Sequence, residues 1–94
     1  MRFGRDVEAL LRKLLLGYNK YFHNDVLNSD GRRLFMEILR MLLYEHPEYR
    51  RLVYRVRRRL DLDSVLRVAE LVLGREEAME LLEIGVYGVE EYST

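Results

Sequence analysis

A chain of 94 residues, 49 % hydrophobic and 34 % charged, has the make-up of one soluble globular unit, not of a disordered or collagen-like segment. The absence of cysteine removes disulfides, thiolate catalysis and every Cys-based zinc, iron–sulfur or haem-attachment motif. Sixteen basic and 16 acidic side chains cancel, so no net field draws the chain to nucleic acid or to an anionic membrane.

From the first residues onward no export signal is expected. Met1 to Arg5 is basic, but the leucine cluster behind it is interrupted by Arg12 and Lys13, where a secretory core needs ~7–15 unbroken apolar residues. No run reaches the ~18–20 apolar residues of a membrane span, so a cytoplasmic protein without membrane contact is expected. Fourteen of the basic residues are arginine and glutamine is absent, a composition like that of thermophilic proteins and equally of GC-rich mesophiles.

Val7, Leu10, Leu11, Leu14, Leu15, Tyr18, Tyr21 and Phe22 recur at helical spacing and predict a first helix from about Arg5 to Phe22. Glu8 and Arg12 pair at i,i+4 on its outer face. His23 to Gly31 reads as a loop, with Ser29 or Asp30 capping a second helix from about Asp30 to Glu45, which ends before Pro47. Apolar residues from Leu34 to Leu43 cover more than half the circumference of that helix, so it needs neighbours on two sides.

Pro47 opens a third helix, whose narrow apolar stripe is Tyr49, Leu52, Val53, Val56 and Leu60, with arginines over most of the rest. Asp61 or Asp63 caps a fourth, over about 62–73, in which Val65, Leu66, Val68, Ala69, Leu71, Val72 and Leu73 leave only Arg67 and Glu70 polar. Past Gly74 a fifth helix runs from about Arg75 to Ile84 with Ala78, Met79, Leu81 and Leu82 facing inward. Gly85 to Val89 breaks the pattern and a loose tail follows over about 85–94. The expected fold is all-α: a compact orthogonal or irregular bundle of about five helices around the hydrophobic helix 62–73, with residues 1–94 forming a single domain.

Four patterns touch on chemistry. Residues 26–37 resemble an EF-hand calcium loop, with Asn28, Asp30, Gly31 and Glu37 at positions 3, 5, 6 and 12; Val26 replaces the carboxylate of position 1 and Arg33 puts a cation at position 8, which favours a capped turn. Arg40 and His46 superficially match the Arg-x4–6-His pattern of the HEPN ribonuclease families. Met41 stands where those enzymes usually have a polar residue, and His46 before Pro47 reads as a helix terminus. His23 beside Asn24 and Asp25 reads as a surface turn. Residues 64–82 have the outline of a helix-turn-helix, but Glu76, Glu77, Glu80 and Glu83 would face the phosphates. No catalytic residue, cofactor or metal ligand is nominated, and no family resemblance covers enough of the chain to be claimed.

The charge is unevenly placed. Residues 1–59 hold 14 basic and 7 acidic side chains, while residues 60–94 hold 2 basic and 9 acidic, so the neutral total hides a +7 half and a −7 half. The arginine-rich third helix offers Arg51, Arg55 and Arg58 on one face, Tyr54 beside them, and Arg50 with Arg57 on the flank. Such a stripe suits phosphates with a stacked base, or an acidic protein surface, the acidic fifth helix of the same chain or of a second copy included. Glu48 could also neutralise Arg51 locally. The favoured reading is a non-enzymatic protein–protein interaction module that self-associates as a homodimer, with Met41, Leu43, Leu66 and Leu73 as candidate contacts. The alternative is an accessory RNA- or DNA-binding protein using the 50–59 helix.

Overall fold

The computed structural model describes residues 3–88. In chain order they form α1 (Arg5–Leu16), a single-turn α2 (Tyr18–Tyr21), a two-stranded hairpin β1 (Phe22–His23) and β2 (Val26–Leu27), α3 (Ser29–Glu45), a 3₁₀ turn (Pro47–Tyr49), α4 (Arg50–Arg59), α5 (Leu62–Leu73) and α6 (Arg75–Tyr87). The fold is the all-α bundle expected, with six helices among the described residues where five were anticipated. Among them no helix is long and apolar enough to cross a membrane.

The additional helix arises at Gly17, where the backbone leaves the helical region and the predicted Arg5–Phe22 helix is cut in two. The segment read as a loop holds the hairpin. Asn24 and Asp25 take positive φ values of 52° and 63°, the pattern of a two-residue type I′ turn, and Phe22 pairs with Leu27 and His23 with Val26. This hairpin is tied to the α4–α5 junction: Leu27 N–H donates to the Leu60 carbonyl at 3.0 Å, and Leu62 N–H to the Asp25 carbonyl at 2.9 Å. The cap of α3 is Asn28, not Ser29 or Asp30. Its Oδ1 accepts from Gly31 N–H at 2.8 Å while its Nδ2 donates to the Lys20 carbonyl at 2.8 Å. Asp61 caps α5 as one of the two candidates, its Oδ1 accepting from both the backbone N–H and the hydroxyl of Ser64.

The core follows from the helical periodicities. Val7, Leu11, Leu14 and Leu15 of α1 meet Phe35, Ile38, Leu39 and Leu42 of α3 and Val65, Val68 and Ala69 of α5, all of them buried. Each large side chain removed from water in this way contributes roughly 1.5–3 kcal/mol. The central helix α5 is packed by α1, α4 and α6, and α1 shares the middle of the bundle, packed by α3, α5 and α6.

At its far end α6 corrects the sequence reading. It continues through Gly85 to Tyr87, so residues 85–87 belong to the helix and not to a loose tail; the remainder of that tail, residues 89–94, lies outside the described residues. Gly85 reads as a helix breaker but serves as a crossing point. A Cβ there would sit 2.1 Å from the carbonyl oxygen of Leu15, so only glycine lets α6 approach the C-terminal end of α1 this closely. Asn19 Nδ2 donates to the Gly85 carbonyl at 3.3 Å across the same contact. Gly74, between α5 and α6, has φ 89° and ψ 153°, a conformation essentially reserved for glycine, and it redirects the chain without a linker.

Candidate functional site

The arginine helix α4 lies at the edge of the bundle. Its apolar stripe is anchored by buried Val53 and Val56, with Leu52 and Leu60 half-buried against α3 and α5. Everything else on it faces outward: Arg50, Arg51, Arg55, Arg57, Arg58 and Arg59 are all exposed, and Tyr54 is 53 % exposed.

The helix therefore presents three basic edges. Arg57 leans toward α3, where with Arg40 it rims a cleft of about 180 Å³ lined by Met36, Leu39, Leu43 and Val53. The outer ridge carries Tyr54 and Arg58, with Arg51 one turn earlier at helical spacing. On the third edge Arg55 and Arg59 face α5 and share a shallow groove with Asp63, Ser64 and Arg67.

These cations are open. Among the described residues Arg50, Arg51, Arg55, Arg57 and Arg58 have no ion-pair partner, and Arg59 meets Asp61 at 3.4 Å. Glu48 does not neutralise Arg51; its Oε2 lies 3.3 Å from Nδ1 of His46. Nor does the acidic helix cover the stripe within one chain. α6 packs chiefly on α1 and α5, and its Glu77 accepts from Arg12 Nε at 2.7 Å, which raises the Arg12 pKa still further through that hydrogen bond. Glu8, the partner expected for Arg12, stands farther off at 3.8 Å.

The outer face of α6 differs from its sequence reading in one residue. Ala78 and Leu82 are buried and Leu81 half-buried, as anticipated, but Met79 is 43 % exposed. Exposed Glu76 and Glu83, three residues before and four after, lie on its side of the helix, and exposed Glu80 follows it about 100° further round.

The proposed self-association residues Met41, Leu43, Leu66 and Leu73 are half-buried and packed against the core. They do not share a face. On α3 the buried arc Phe35–Ile38–Leu39–Leu42 separates Leu34 and Met41 on one flank from Met36 and Leu43 on the other, and only the second flank reaches the cleft beside α4.

The other candidates are dispersed. Arg40 rims the cleft, whereas His46 caps the end of α3 with its ring 4.8 Å from that of Phe3 and 6.0 Å from that of Tyr49. His23 is exposed on β1. In the calcium-like segment, Asn28 is occupied as a helix cap, and Asp30 and Glu37 lie exposed along α3. Among the described residues no group of three or more His, Asp or Glu side chains comes together in a metal-binding arrangement.

The residues that sequence reading missed are Arg40, Met36 and Val53 as parts of one cleft, and Met79 as an exposed side chain. The first has a faint sequence signal, since Met36, Arg40 and Leu43 recur at i, i+4, i+7. The second has none, because Met79 fits an inward stripe equally well until α6 is placed. No protein-family model, curated protein or solved structure matches this chain.

Proposed function

We propose that this chain is a non-enzymatic interaction module that self-associates or bridges proteins through the basic edge formed by α4. The observation that carries this reading is that open charges of both signs face outward: Arg50, Arg51, Arg55, Arg57 and Arg58 of α4 have no ion-pair partner among the described residues, and α6 turns Glu76, Glu80 and Glu83 to solvent from a different part of the bundle. A molecule with separated fields of opposite sign attracts its own copies, while its zero net charge weakens long-range attraction to a polyanion.

A trace of fluorescently labelled protein titrated with unlabelled protein tests the reading. Anisotropy rises over the micromolar range at low salt, and added salt reverses the rise. A flat titration at low salt counts against it.

A second reading, an accessory RNA- or DNA-binding protein, draws support from Tyr54, an exposed aromatic set among Arg51, Arg55 and Arg58. That combination neutralises backbone phosphates while offering a ring for a base. Titrating the same labelled protein with a mixed-sequence oligonucleotide distinguishes it, because phosphate contact makes log affinity fall linearly with log salt.

A further inference from the structure

We infer that the cleft between α3 and α4 is the docking site for the acidic face of α6 from a second copy of this chain, with Met79 as the inserted side chain. This deepens the self-association reading above and rests on it.

The cleft has the properties of a receptor for one apolar side chain in an acidic setting. Its floor is Met36, Leu39, Leu43 and Val53, and its rim carries two exposed cations, Arg40 and Arg57. At about 180 Å³ it accommodates one unbranched side chain, given that a cavity of ~150 Å³ holds a benzene molecule. Methionine suits such a site, because its flexible, polarisable chain adapts to an irregular apolar gap.

The ligand is present on the same molecule but out of reach of its own cleft, since α6 packs on α1 and α5. Met79 projects from α6 with Glu80 beside it, Glu76 one turn before and Glu83 one turn after. An apolar centre with flanking carboxylates complements an apolar floor with flanking guanidiniums. Arginine and carboxylate also form paired, directional hydrogen bonds that fix the register of the two helices.

Receptor and ligand are different patches, so the contact is heterologous. Made once it links copies head to tail; made twice about a two-fold axis, each copy inserting its α6 into the other, it would give a closed dimer. Each contact consists of one inserted side chain and its rim charges, so the association is salt-sensitive.

A charge exchange between two variants tests this. The first carries Arg40→Glu with Arg57→Glu and the second Glu76→Arg with Glu80→Arg. All four positions are exposed, and circular dichroism confirms that each variant is folded. Sedimentation equilibrium should find each variant alone associating at least about tenfold more weakly than the parent, and an equimolar mixture of the two recovering parental association; a tenfold change is ~1.4 kcal/mol, within the range of coupling between contacting residues. Met79→Lys should weaken the parent likewise. If the parent associates and both variants alone match it, or the mixture fails to recover, this docking site is wrong while self-association stands on another surface. If the parent is monomeric at low salt, both the site and the self-association reading fail, and oligonucleotide binding by that monomer assigns the arginines to nucleic acid instead.

Discussion

Arg12 on α1 donates through Nε to Oε2 of Glu77 on α6 at 2.7 Å, and this pair ties the acidic helix to α1, a helix that packs on α3, α5 and α6. It joins residues 65 apart in sequence, and Glu8 at 3.8 Å completes a small network around the same guanidinium. Both side chains remain over one-third exposed, so the pair's worth is modest. A double-mutant cycle of Arg12→Ala and Glu77→Ala should return a coupling of about 0.2–1 kcal/mol that declines with salt. A coupling of zero at low salt would remove the pair as an anchor of α6.

Gly85→Ala should destabilise the protein by about 1–3 kcal/mol, because the added methyl meets the Leu15 carbonyl at 2.1 Å and α6 must move outward. Helix propensity alone predicts the reverse, a gain of roughly 1 kcal/mol on replacing a glycine inside a helix. The sign of the change in urea denaturation therefore decides whether Gly85 is a crossing point or merely a weak helical residue.

That glycine also marks the boundary between what was legible in the chain and what was not. The apolar spacings of 5–22, 34–43 and 62–73 specify helices and their buried faces, and the structure buries those faces, although the first helix is broken at Gly17. Gly17 and Gly85 look alike in sequence, each following a helical apolar pattern, yet one ends a helix and the other lies within one. The difference is the approach of α6 to Leu15, a contact between distant segments. Asn28 displaced Ser29 and Asp30 as the cap because the hairpin brings Lys20 and Tyr21 beside it, giving its amide a second partner. The arginines of the site were readable one by one, whereas their openness was not, since it depends on which neighbour α6 selects. The exposure of Met79 depends on the same placement of α6.

Asp61 contributes to the acid limb of stability. Its carboxyl is held below the usual carboxylate range, first by the Ser64 hydroxyl and then by the Ser64 backbone N–H, against an opposing effect of burial and with help from Arg59. A pKa lower in the folded chain than in the unfolded one means that the carboxylate stabilises the fold above the ordinary aspartate value of ~3.9. That contribution is lost as pH falls through the lower, folded value. Asp61→Ala should cost about 1 kcal/mol at neutral pH through removal of the cap and show a shallower loss of stability on acidification than the parent. Denaturation curves of the two proteins from neutral to strongly acid pH check this, and parallel curves would contradict it.

Reversing the outer arginines should leave the fold intact. Arg51, Arg55 and Arg58 have no partners among the described residues, so the triple variant Arg51→Glu, Arg55→Glu, Arg58→Glu should differ in stability by no more than about 0.5 kcal/mol per site. Its self-association should weaken, because the attracting field of α4 is reversed. If the ridge instead serves single-stranded nucleic acid, Tyr54→Ala should weaken that binding by about 1–3 kcal/mol with little change in its salt slope. The triple variant would then flatten that slope by ~0.7–0.9 for each phosphate it no longer neutralises. Unfolding of the triple variant would show that the arginines have an internal role after all.

Sedimentation equilibrium of the parent protein, run across the micromolar range at low and at high salt, addresses the central claim most directly. Complementary open faces predict reversible association at low salt, with the mean mass rising with concentration and returning toward that of one chain at high salt. A mass that stays at 11.4 kDa across the range at low salt would contradict the account.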